Sequence, residues 1–94
     1  MLFMVINTHD YSTCMAQDED KMKVIGDIVK RASECGVTIH ARYSNRLEHT
    51  NFYVIESNDM ESIDKLFEPV LTLGHWDITP VVKSKIIFYL SRIY

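Results

Sequence analysis

Two stretches decide the fold, Leu2-Phe3-Met4-Val5-Ile6-Asn7-Thr8 and Asn51-Phe52-Tyr53-Val54-Ile55-Glu56-Ser57. Both are short, and both are apolar at successive rather than alternate positions. Neighbouring side chains of a strand point to opposite faces, so such runs read as strands covered on both sides, at the centre of a sheet. Two further segments read as edges. Val37 to Tyr43 alternates, with Val37, Ile39, Ala41 and Tyr43 on one side and Thr38, His40 and Arg42 on the other. Trp76 to Lys83 carries Pro80, which has no N–H to give to a ladder.

Helices fill the gaps. Asp18 can cap the first, with Glu19 and Asp20 at the positive end of its dipole and Gly36 as its left-handed stop. Met22, Ile25, Ile28, Val29, Ala32 and Cys35 recur at the spacing of one buried face. Asn58 or Asp59 caps the second, whose stripe is Met60, Ile63, Leu66, Phe67, Val70 and Leu71, with Pro69 ending or kinking it and Gly74 stopping it. Asp10 to Gln17 reads as a polar loop containing Cys14, and Ser84 to Tyr94 as a short helical extension.

The order strand, helix, strand, strand, helix, strand is a ferredoxin-like α+β arrangement, βαββαβ, with a four-stranded antiparallel sheet. Strands one and three are central, as their double-sided apolarity requires. Strands one and four are expected to run parallel, placing His75 at the opposite sheet end from His9. Both helices pack on one face, so the second apolar face of the central strands needs cover. A two-fold dimer with sheets face to face supplies it, and the alternative cover is the chain's own extension.

Composition agrees. The 94 residues make one domain, a core over 1–83 and an extension over 84–94. Hydrophobic residues are 47% and charged residues 24%, with only three glycines and two prolines, which excludes a disordered or fibrous chain. A domain this small buries only about 60 to 65% of its unfolded surface, so a stabilising supplement is expected. Two cysteines, Cys14 and Cys35, are too few for a disulfide scaffold, which leaves self-association. The formal charge of -3 argues against nucleic acid as a partner. No apolar run is long enough to span a membrane or to act as a signal sequence. A cytoplasmic protein with free thiols is the resulting expectation.

The chemistry-bearing residues are few. His9 closes the first strand at the mouth of any cavity, where a histidine can act as general base. His40 and Arg42, sharing one side of strand two, could hold an anionic ligand, and Tyr53, with Trp76, Phe52 and Phe3, could form an aromatic lining for an apolar one. His9, His49 and His75, with Cys14 as a further ligand, form a conceivable metal set, although no diagnostic ligand spacing occurs and the expected place of His75 at the far sheet end weakens it. Cys14 and His9 could also pair as nucleophile and base. Cys35 ends the helical stripe and reads as core. No phosphate-cradling glycine loop and no cofactor motif is present, so no cofactor is expected.

Phe3-Met4-Val5-Ile6-Asn7-Thr8-His9 followed by Cys14, the hairpin Glu48 to Glu56, and Phe67 to Gly74 leading to Asp77-Ile78-Thr79-Pro80-Val81 resemble a small, poorly characterised prokaryotic family. That family is similar to the dimeric α/β-barrel superfamily, which includes antibiotic-biosynthesis monooxygenases, muconolactone isomerases and stress-response barrel proteins. The chain departs from the family pattern at Asn7 and Met15, where histidine and proline are expected. The resemblance implies a homodimer that binds a small organic molecule in a sheet-lined cavity. Were it an enzyme, the resemblance implies cofactor-independent oxygenation or isomerisation, with His9 as base and Asn7 and Tyr53 as hydrogen-bonding partners. Two other readings stand beside it: a non-catalytic protein that self-associates through its open sheet face, and a metal-binding protein using His9 and His49.

Overall fold

The computed structural model describes residues 1–10 and 18–84. The elements are β1 (Leu2–Thr8), α1 (Glu19–Cys35), β2 (Thr38–Asn45), β3 (Thr50–Glu56), α2 (Met60–Phe67) and β4 (His75–Val81). Short 3-10 turns at Arg46–Glu48 and Glu68–Val70 precede β3 and follow α2. The strand order is β2-β3-β1-β4, and every neighbouring pair is antiparallel. This is the ferredoxin-like α+β fold. The loop containing Cys14 and the helical extension expected after Ser84 fall on residues 11–17 and 85–94, outside the described residues.

Local chemistry explains the elements. The Asp18 carboxylate accepts from the backbone N–H groups of Asp20 and Lys21 at 3.0 and 3.1 Å, and so caps α1. Gly36 ends that helix with φ at 77°. Asp59 caps α2 through Ser62 N–H at 2.7 Å. Pro69 falls in the 3-10 turn that ends α2, where its missing N–H removes no helical bond. Pro80 lies on β4, an edge strand, as its chemistry requires.

Phe3, Val5, Tyr53 and Ile55 line the helix side of the central strands and pack with Ile28, Ala32, Ile63, Leu66, Phe67 and Val70 in one core. Arg31 of α1 donates to the carbonyls of Leu66 and Lys65 at 3.1 and 2.9 Å, which ties the two helices together and satisfies two C-terminal carbonyls of α2. On the other side of the sheet, Leu2, Met4, Ile6, Phe52 and Val54 are half-buried, as the two-sided apolar pattern implies.

Four expectations change. Met22, Val29, Met60 and Leu71 were placed on buried stripes, yet each is about half or more exposed or close to it, at 53%, 48%, 53% and 50%. The core fully covers Ile28 and Ala32 of α1 and partly covers Ile25 and Cys35, so the stripe read from the spacing is wider than the surface available to cover it. The alternation of β2 also breaks, at a bulge between Ile39 and Ala41. Ile39 pairs with Ile55 on the helix side, whereas Ala41 pairs with Val54 on the open side. His40 and Arg42 therefore do not share a face: His40 meets Glu56 on the open side, and Arg42, opposite Tyr53, lies on the helix side. Finally, β1 and β4 are antiparallel, with Thr8 opposite His75. The crossover through α2 makes β4 parallel to β3, and β3 is antiparallel to β1, so β4 must oppose β1. His75 is at the same sheet end as His9.

Candidate ligand site

The helix side of the sheet is divided along its strands. Towards the start of β1 it is apolar, with Phe3, Val5 and Ile55; towards the end it turns polar. Asn7 and Asn51 stand directly opposite each other there, on strands otherwise filled with hydrophobic side chains. Asn7 is fully buried. Its Nδ2 donates to the carbonyls of Leu73 and His75 at 3.2 and 3.3 Å, and its Oδ1 accepts from Asn51 Nδ2 at 3.1 Å. The two carbonyl partners fix which end of the amide is nitrogen. Both donors of Asn7 are thus spent on holding the segment before β4 against the end of β1.

Gly74 sits in that segment with φ at 114°, a conformation open in practice only to glycine. An added Cβ would lie 2.7 Å from the Thr8 carbonyl oxygen and 3.0 Å from both Asn7 Nδ2 and His9 Cβ. Asn7 and Gly74 form one clamp: the amide needs the backbone close, and only glycine allows the approach.

Just beyond it, His9 N–H donates to the His49 carbonyl at 3.0 Å. The two imidazoles meet edge to face, with centroids 5.2 Å apart. His49 has φ at 50°, in the left-handed region, as the cap of the 3-10 turn before β3. Both Nδ1 atoms are buried with no hydrogen-bond partner among the described residues. Burial, together with the neighbouring His49, holds His9 below the ordinary histidine value of 6.5, against the opposing pull of Asp10. His9 is accordingly neutral near pH 7, the form in which an imidazole accepts a proton. His75, although at this sheet end, points to the open side and bonds Asp77 at 3.0 Å. Among the described residues, no group of three His, Cys, Asp or Glu side chains is arranged to hold a metal ion.

A pocket of about 260 Å³ opens beside the asparagine pair, lined by Arg42, Tyr43, Ser44, Asn51 and Tyr53. The Arg42 guanidinium carbon stands 5.3 Å from the centre of the Tyr53 ring, within cation–π range. Tyr53 is 1% exposed, packs against Phe67 and Trp76, and its hydroxyl is buried with no partner among the described residues.

Of the residues singled out in the sequence, Arg42 and Tyr53 come together at this pocket, Asn7 supports it through Asn51, and His9 lies next along the same sheet end. His40 is on the opposite face, bonded to Glu56 Oε1 at 2.8 Å, and lowers the carboxyl pKa of that residue by the hydrogen bond. Cys14 falls outside the described residues, and Cys35 is half-buried against the core. Sequence reasoning passed over Ser44 and Asn51. Asn51 had a readable signal, since it and Asn7 each interrupt an apolar central strand; Ser44 had none.

A family profile described as a domain of unknown function, DUF3303, matches residues 1–88. No curated protein matches the chain. Among solved structures, the chain is similar to SCO4226 from Streptomyces coelicolor A3(2), at 14% identity and a TM-score of 0.62, over 89% of this chain and 99% of that one. It is similar also to a Deinococcus radiodurans R1 protein described as a candidate transposase, at 10% identity and a TM-score of 0.51, over 99% of this chain and 88% of that one. At these identities the likeness concerns the fold alone.

Proposed function

This chain belongs to the DUF3303 family, which carries no assigned activity, and from the site it presents we propose that it binds a small organic molecule in the pocket beside the Asn7–Asn51 bond. One observation carries the reading: a residue that lines the pocket, Tyr53, keeps its hydroxyl buried and without a partner among the described residues. Such a group is costly, by about 1 to 3 kcal/mol, unless something supplies the missing hydrogen bond. A bound molecule is the natural supplier. His9, neutral and held next to Asn7, is the proton acceptor of the site in an enzymatic version of this reading.

The test is Tyr53→Phe. Without ligand the variant is more stable than the parent by about 1 kcal/mol, because a desolvated hydroxyl has been removed. In a thermal-shift screen of small organic molecules it loses the stabilisation that the parent gains. A Tyr53→Phe protein that is instead destabilised by more than 1 kcal/mol would mean the hydroxyl has an internal partner, and the reading falls.

The assembly part of the proposal is a homodimer closed through the open sheet face. Met4, Ile6, Phe52 and Val54 form its apolar centre, and the ion pairs His40–Glu56 and His75–Asp77 stand at opposite ends of the strands. An apolar centre with a polar margin is the anatomy of a subunit interface. Native mass spectrometry at micromolar concentration is expected to show a dimer, and Val54→Lys a monomer. A parent chain that is monomeric under those conditions removes this part while leaving the pocket untouched.

A further inference from the structure

The pocket lining is unbalanced in charge. Arg42 is a permanent cation, while Tyr43, Ser44, Asn51 and Tyr53 are neutral, and among the described residues no carboxylate lines the pocket. The chain as a whole is acidic, at -3, so this is a local reversal. Among the described residues the ion pairs are His40–Glu56 and His75–Asp77, and Arg42 takes part in neither. Its fate contrasts with that of Arg31, whose guanidinium is used up on two backbone carbonyls. Arg42 instead lies over the Tyr53 ring, which orients the guanidinium plane and leaves its N–H fork without an acidic partner.

We infer that the ligand of this pocket is a small organic carboxylate, held by the Arg42 fork. The inference rests on the pocket reading above and makes it specific. A planar guanidinium matches a carboxylate through two parallel N–H···O bonds, which is the strongest and most directional contact that this lining offers. Ser44 and Asn51 each hold a further N–H or O–H donor; Asn51 spends only one of its two amide hydrogens on Asn7. Tyr43 pairs with Phe52 and turns its ring to the open side of the sheet, so recognition falls on the Arg42 fork and the donors of Ser44 and Asn51. A volume of about 260 Å³ admits a single-ring acid. His40 adds nothing to the site, being bonded to Glu56 on the far face.

The experiment is calorimetric titration of the full chain with benzoate and with benzamide, a neutral molecule of nearly the same shape. Benzoate is expected to bind at least about tenfold more tightly. In Arg42→Met that preference disappears, while the melting temperature stays within a degree or two because Arg42 is exposed. Arg42→Lys keeps part of the preference, since it keeps the charge and loses the fork. Equal binding of the two compounds, blocked by Ser44→Trp, overturns the carboxylate assignment and leaves the pocket standing. A preference for benzoate that survives in Arg42→Met also overturns it, because the anion must then be held elsewhere. Binding of neither compound at millimolar concentration overturns it as well, and the Tyr53→Phe screen then decides the pocket reading independently.

Discussion

Asn7→Asp lowers the stability of the protein by about 3 kcal/mol at pH 7, with a smaller loss at pH 4.5. The substitution leaves no cavity, because the two side chains have the same shape. What changes is the polarity of one end. Asn7 Nδ2 now donates to two backbone carbonyls; a carboxylate oxygen in its place faces two acceptors, in a position wholly removed from water. Ionisation there is strongly disfavoured, so the folded-state pKa of the new carboxyl rises above its unfolded value near 3.9. A group shifted upwards in this way binds its proton more tightly in the folded chain, so the penalty grows as pH rises through the unfolded value and onward. Urea denaturation at the two pH values measures it. A loss below about 1 kcal/mol, unchanged with pH, would show that the asparagine does not clamp the two segments.

Gly74→Ala carries a penalty of about 3 kcal/mol or more, from two sources that add. The backbone at φ 114° is strained for any residue with a Cβ, and the new atom would meet the Thr8 carbonyl oxygen at 2.7 Å. Relief requires β4 and the end of β1 to separate, which pulls apart the Asn7 bonds as well. Gly26→Ala is the internal control. That position lies within α1 with nothing within 4 Å of the added atom, so the exchange is expected to stabilise by about 0.5 to 1 kcal/mol. Thermal unfolding of both variants decides the matter: two glycines, one substitution, opposite signs. A Gly74→Ala protein as stable as the parent would mean the chain end of β1 yields freely. Because Asn7 and Gly74 act on the same contact, the double variant should lose less than the sum of the two.

The order of the sheet could be read from strand chemistry, since Pro80 and the alternation of Val37 to Tyr43 marked edges while Leu2–Ile6 and Phe52–Ile55 marked the centre. The caps at Asp18, Gly36 and Asp59 were equally legible, because each depends on two or three neighbouring residues. Properties set by distant packing were not. Nothing near Met22 or Val29 reports that the core stops short of them. The bulge after Ile39 has no glycine or proline to announce it, so the sides of His40 and Arg42 could not be assigned from alternation. The direction of β4 followed from connectivity rather than composition, and simple reasoning about crossovers through α2 is enough to obtain it. Asn7 was recognisable as an anomaly on an apolar strand, but its partners, at Leu73 and His75, are more than sixty residues away in sequence.

The bulge in β2 has one more implication. Side-chain direction beyond Ile39 depends on how many residues the strand spends between its pairings with Ile55 and Val54. A relative one residue shorter at this point would present its guanidinium to the outer surface and its tyrosine to the inner one, with every amino acid type retained. Whether a family member recognises an acid is then a matter of spacing as much as of identity, and inheritance of an arginine alone does not carry the specificity with it.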